Sequence, residues 1–180
     1  ESGFNKAEYA IVENSNNSII INFYDHENNF LFLSKLVSYD NSKWLDLGTH
    51  LAFLSSPGSM QTFIQILDKN TGLLSSNFWI NSNINLIDIK NNGNYISAKY
   101  ISENSQSYNL NKINVYHNNK KDLNEYISLE KNNLEPLYLK EENDKIIIIF
   151  SNSISIFDNS LKEIAYKFYP NAKKIFDDNS

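Results

Sequence analysis

Gln61-Thr62-Phe63-Ile64-Gln65-Ile66-Leu67-Asp68-Lys69-Asn70-Thr71-Gly72-Leu73-Leu74-Ser75-Ser76-Asn77-Phe78-Trp79-Ile80 reads as two strands joined by a polar turn. Aromatic and β-branched residues pack well on a pleated surface, and they fill the first arm. In the turn, Asp68 can accept from backbone amides and Gly72 can adopt a positive φ, so the chain reverses between them. Three further segments share the form: Ser18–Ser38, Asn111–Leu129 and Ser153–Tyr169. Each sets an aromatic or Leu before a polar turn residue, as Tyr24-Asp25, Leu67-Asp68, Tyr116-His117 and Phe157-Asp158. The turn residues are 43, 49 and 41 positions apart. That is the repeat length of four-stranded propeller blades.

Working outward, another strand precedes each hairpin, at Ala7–Glu13, His50–Ser55, Tyr95–Ile101 and Lys145–Ser151. Before those lie shorter, innermost strands at Lys43–Gly48, Asn85–Lys90 and Glu135–Lys140, with none ahead of the first repeat. Lys173–Asp177, after the fourth repeat, supplies a strand that would complete the first blade and remove an exposed sheet edge. The expected fold is all-β: four tandem four-stranded antiparallel meanders, either a four-bladed ring or part of a larger propeller. A β-sandwich or barrel is the alternative. The chain is read as one domain, with repeats at about 7–40, 41–82, 83–131 and 132–170 and a closing strand and tail at 171–180. The third repeat is about six residues longer, which is assigned to a loop around Ser102–Ser107 that would serve as a contact loop. Asp122–Lys131 can be read as helix or strand, while the apolar run Ile146–Ile149 reads as a strand buried on both faces.

Composition narrows the function. The net charge is −5, and every cation apart from histidine is Lys. Without Arg the chain lacks the bidentate fork that favours phosphate and guanine, and an acidic chain lacks the footprint of a nucleic-acid binder. It equally lacks a polybasic face for an anionic membrane. There is no Cys, hence no disulfide, thiol nucleophile or thiolate metal site. No apolar run approaches the length of a membrane span. The opening Glu1-Ser2-Gly3-Phe4 has no initiating Met, which fits a processed chain with any export signal or lipid anchor removed. No Gly-x-Ser-x-Gly and no phosphate-cradling glycine loop occurs. An enzyme is therefore not expected.

Two sets of residues are candidates for binding. Asp46, Asp88 and Asp177 fall at similar places in the innermost strands. Such strands line a propeller channel, where converging carboxylates suit Ca²⁺ or another hard cation. The alternative is that they hold loop backbone. His26 and His117 occupy turns on opposite sides of a four-blade ring and His50 starts a strand, so the histidines read as turn residues, not zinc ligands. Trp44, Trp79, Tyr100, Tyr108 and Tyr138 are the large residues that would form a recognition patch for a protein partner, or stack on a sugar. The alternative is that they are core.

The turn Ile66-Leu67-Asp68-Lys69-Asn70-Thr71-Gly72, with Phe78-Trp79 in the strand after it, resembles the Leu-Asp-x-x-Thr-Gly turn of quinoprotein-type propeller repeats. The first repeat has Asp25-His26-Glu27-Asn28-Asn29, the fourth has Asp158-Asn159-Ser160, and the third has no Asp there. That family includes quinone-dependent dehydrogenases and a lipoprotein of the outer-membrane barrel-assembly machinery. The resemblance implies a fold rather than an activity. No quinone cofactor is expected, since its acidic group usually meets an Arg. The resulting expectation is a non-catalytic propeller scaffold for protein–protein interaction in a bacterial cell envelope. Self-association is allowed, and nucleic-acid binding and membrane insertion are not expected. A glycan- or Ca²⁺-binding module is the alternative.

Overall fold

The computed structural model describes residues 8–15, 17–58, 60–82, 84–93, 95–104, 106–116, 125–130 and 135–169. The chain divides into two compact units, Glu1–Asn81 and Ser82–Ser180, each taking two of the four repeats. In the first unit β1 (Tyr9–Ser15), β2 (Ser18–Tyr24) and β3 (Phe30–Val37) form one antiparallel meander. A second meander holds β4 (Lys43–Asp46), β5 (His50–Gly58), β6 (Gln61–Asp68) and β7 (Leu74–Ile80). The second unit contains β8 (Ile84–Asn91), β9 (Tyr95–Glu103), β10 (Ser107–Tyr116) and β11 (Glu125–Glu130) in one sheet. Its other sheet is β12 (Pro136–Glu142), β13 (Lys145–Phe150), β14 (Ser153–Asp158) and β15 (Glu163–Phe168). Every pairing joins sequence neighbours, the order that short loop closure favours.

The fold is thus all-β with four tandem meanders, as expected. The first sheet has three strands among the described residues, and the predicted closing strand Lys173–Asp177 lies outside them. The ambiguous stretch at 122–131 contains the strand β11.

Three outer hairpins turn by one mechanism. Asp25 Oδ1 accepts from the N–H groups of Glu27 and Asn29, both at 2.9 Å. Asp68 Oδ1 accepts from Asn70 at 2.7 Å and Thr71 at 3.1 Å. Asp158 Oδ1 accepts from Ser160 N–H at 2.9 Å, its hydroxyl at 2.6 Å, and Lys162 N–H at 3.0 Å. Each loop then needs one left-handed residue before the return strand, and Asn28, Gly72 and Leu161 supply it with φ of 66°, 69° and 61°. Asn and Gly take that conformation readily. Leu161 takes it because its side chain enters the core, where it is 3% exposed.

Each unit has its own core. In the first, Ile19, Ile21, Phe23 and Leu36 of one sheet pack with Phe53 and Leu67 of the other. In the second, Ile101 and Leu110 pack with Leu139, Ile146, Ile148, Phe150, Phe157 and Leu161. Each such side chain contributes roughly 1.5–3 kcal/mol of burial. Ile146 and Ile148 are fully buried and Ile147 and Ile149 half-buried, so β13 exposes none of its isoleucines, as its unbroken apolar run predicts.

The third repeat spends its extra length differently from expectation. β9 and β10 run through most of the stretch assigned to a long loop, β9 ending at Glu103 and β10 starting at Ser107. Asn104 Oδ1 ties the two strand ends by accepting from Gln106 N–H at 2.9 Å and Ser107 N–H at 2.7 Å. The added residues lengthen strands: β8 has 8 residues where β4 has 4, and β10 has 10 where β6 has 8.

Candidate functional site

A concavity in the first unit lies at one end of its two sheets. It is lined by Asn17 from the β1–β2 turn, Ser38, Tyr39 and Asp40 from the β3–β4 connection, and Pro57 near the end of β5, and it encloses about 300 Å³. Two backbone bonds hold the three segments together: Ser38 N–H donates to Asn17 O at 3.0 Å, and Ser56 N–H to Asp40 O at 2.9 Å. Left-handed backbone at Asn17 and Asn41 sharpens the bends on either side, with φ of 58° and 53°.

Aromatic packing supports the site from beneath. Phe63 and Trp79, opposite each other on β6 and β7, stack with ring centres 4.6 Å apart. Tyr39 closes on both, 5.6 Å from Trp79 and 6.3 Å edge-on from Phe63. Beside them Gln65 clamps the last residue of β3. Its Oε1 accepts from Val37 N–H at 3.0 Å and its Nε2 donates to Val37 O at 2.7 Å. Both backbone groups of an edge residue are thereby satisfied by a side chain that is 2% exposed.

Of the predicted aromatic residues, Trp44 and Trp79 belong to the first unit, and Tyr100, Tyr108 and Tyr138 to the second. Trp44 is 37% exposed, with its ring 4.5 Å from that of Phe53. Trp79 is half-buried under Tyr39. Tyr138 is exposed on β12, and Tyr108 is half-buried against the core. Tyr100 is a correction: at 3% exposure it presents no recognition surface, because β9 is a central strand of its sheet and is buried along nearly its whole length.

The two described members of the predicted acidic set, Asp46 and Asp88, belong to the first and the second unit. Asp46 stands at the β4–β5 turn, where Gly48 N–H donates to it at 2.8 Å and Lys69 Nζ at 2.6 Å. The lysine bond first, then the Gly48 amide, holds its carboxyl below the usual range. Asp88 lies within β8 and accepts from Glu141 N–H at 2.7 Å and Lys140 Nζ at 3.2 Å. The residue equivalent to Asp46 is Asn91, whose Oδ1 accepts from Gly93 N–H at 3.0 Å. Both sit five residues before their strand partners, Leu51 and Ile96. Asp46 and Asp88 are therefore not at matching positions, and each already faces a lysine. Asp177 lies outside the described residues, among which no three His, Cys, Asp or Glu side chains converge on one point.

Beside Asp88, Lys99 is 3% exposed and its Nζ lies 2.9 Å from Glu141 Oε2. The same Nζ donates to Ser97 Oγ at 2.5 Å. This buried pair joins β9 to β12 and escapes sequence reasoning, because nothing in an alternating strand sequence distinguishes a buried lysine from a solvated one. Of the histidines, His26 is exposed beside Glu27, and His50 Nδ1 lies 2.9 Å from Thr49 Oγ1 with Nε2 3.9 Å from Asp68 Oδ2. His117 lies outside the described residues.

No family model matches the chain, and no curated protein matches it. Solved structures do resemble it. A crystal structure of the eukaryotic initiation factor is 12% identical, over 92% of this chain and 56% of that one, with a TM-score of 0.46. Kluyveromyces lactis Hsv2 is 8% identical over 85% and 48%, with a TM-score of 0.49. BamB from Moraxella catarrhalis, a propeller protein, is 10% identical over 87% and 62%, with a TM-score of 0.36. The chain thus spans less than two thirds of each of these three structures.

Proposed function

We propose that this chain is a non-catalytic scaffold of propeller-blade-like repeats that binds a protein partner through an outer sheet edge. The observation that carries the reading is β15. All six of its residues are exposed, among them Ile164, Tyr166 and Phe168 at 48%, 56% and 57%. It is the last strand of its sheet and pairs, among the described residues, with β14 alone. An edge strand with a row of exposed large apolar side chains is a template for an added strand or a docking partner. The quinoprotein-like turn at Asp68–Gly72 supports a bacterial cell envelope as the setting.

Among the described residues, Thr49 and His50 offer one enzymatic reading. The hydroxyl–imidazole distance of 2.9 Å is that of a nucleophile–base pair, but Asp68 at 3.9 Å is beyond hydrogen-bonding range of the ring. Asp68 also spends Oδ1 on the turn. The scaffold reading is tested by placing a photo-crosslinking residue at Tyr166 and, separately, at exposed Asn77 of β7, then comparing adducts in the native host. One partner crosslinked at Tyr166, and lost with Ile164→Asp/Phe168→Asp, supports it. Adducts equal at both positions would refute it. Ester or peptide turnover abolished by Thr49→Ala would replace it with hydrolysis.

A further inference from the structure

We infer that the concavity lined by Asn17, Ser38, Tyr39, Asp40 and Pro57 is a binding site for a neutral polyhydroxylated ligand of monosaccharide size. The inference begins with Asp40. Every other described aspartate works on the fold. Asp25, Asp68 and Asp158 tie outer turns, and Asp46 ties an inner one. Asp88 holds the Glu141 amide, and Asp144 accepts from Asn159 Nδ2 at 3.3 Å. Asp40 alone contributes only its backbone carbonyl, to Ser56, and its exposed carboxylate takes no hydrogen bond from a described residue. An aspartate whose side chain shapes nothing yet lines a concavity has its carboxylate oxygens available to a ligand.

The neighbouring groups define what that ligand is. Asn17 lines the same concavity and is exposed, and its carboxamide offers both a donor and an acceptor. Ser38 adds a hydroxyl held only by a long 3.5 Å contact to Tyr39 O. A carboxylate, a carboxamide and a hydroxyl match adjacent sugar hydroxyls, each of which donates and accepts. With no Lys or His among the described lining residues, the site does not favour a phosphate or carboxylate. The volume, about 300 Å³, is at the small end of ligand pockets and suits one ring rather than a chain. Tyr39 supplies the apolar wall, and its packing on Trp79 and Phe63 fixes it before any ligand arrives.

The site is independent of β15, so the two readings stand or fall separately. The test is an amide NMR titration of the full chain with the methyl glycosides of glucose, galactose, mannose and N-acetylglucosamine, and with choline as a cationic probe. The expected result is saturable shifts at Asn17 and Ser38–Asn41 for at least one glycoside. A ligand this small should have a dissociation constant on the order of 1 mM. Asp40→Ala should weaken that binding at least about tenfold with the rest of the spectrum unchanged, because the carboxylate is free. Three outcomes overturn the inference: no glycoside shift up to about 50 mM, shifts that persist in Asp40→Ala, or saturation by choline alone.

Discussion

Gly72 stands at a φ of 69°, and a methyl group there would run into the Phe32 ring and the Ser34 hydroxyl of the neighbouring sheet. Its carbonyl also accepts from that hydroxyl. Gly72→Ala therefore meets both a left-handed penalty and a clash, and should destabilise by about 2–4 kcal/mol in urea unfolding. The carboxylates give a second residue-level expectation. Asp158 is held below its usual range by the Ser160 hydroxyl first and then the Lys162 amide, and Asp46 by Lys69 first and then Gly48. A depressed folded pKa gives stability that is present above the unfolded value of about 3.9 and lost as pH falls through the folded value. The melting temperature should therefore drop below about pH 4. In Asp46→Ala/Asp158→Ala that acid-side decline should be shallower, whereas an unchanged slope would assign it to other groups.

Pairing of strands is local here, and each hairpin carries its own turn chemistry, so the meanders can be recognised from spacing alone. Their union into sheet pairs cannot. Lys99 and Glu141 meet from β9 and β12, separated by more than 40 positions, and both are largely withdrawn from water. Removing one member of such a pair strands the other charge, so Lys99→Met should lose about 3–5 kcal/mol. Lys99→Met/Glu141→Leu should recover most of that loss, and the pair of urea curves measures it. If the double variant is no better than the single, Lys99 acts through Ser97 instead. The third repeat makes the same point about elements. A loop is the expected place for its extra residues because insertions are tolerated there, but alternation of Ile101 with Ser102, and of Tyr108 and Leu110 with Asn109, also extends a strand.

Across the whole molecule, protection should follow burial rather than position in the chain. β9 is buried at seven consecutive residues and β6 at four, whereas β15 is exposed throughout. Amide hydrogen exchange should therefore be slowest at Ile96–Ser102 and Ile64–Leu67, and faster by orders of magnitude along Ile164–Phe168. Protection at β15 equal to that at β9 would mean that its apolar row is covered in solution, by a second copy or by a remaining part of the chain. Light scattering across a concentration series would separate those two sources.

By itself the sequence determined the strands, the outer turns and the number of repeats, because each depends on neighbours within about twenty residues: an Asp to tie the turn, one left-handed residue, alternation on either side. It also excluded thiol chemistry and Arg-based recognition outright. Only the tertiary structure decided which of the described aspartates work on the fold through their side chains and which is left over. Asp40 and Asp46 look alike in sequence, both polar residues beside turn formers. Their difference arises from partners supplied at a distance: Lys69 reaches Asp46 from 23 residues away, and no described side chain reaches the Asp40 carboxylate. Tyr100, a surface candidate by its sequence, is core for the same reason. Burial is set by what packs on both faces of a strand, and that is information no single strand contains.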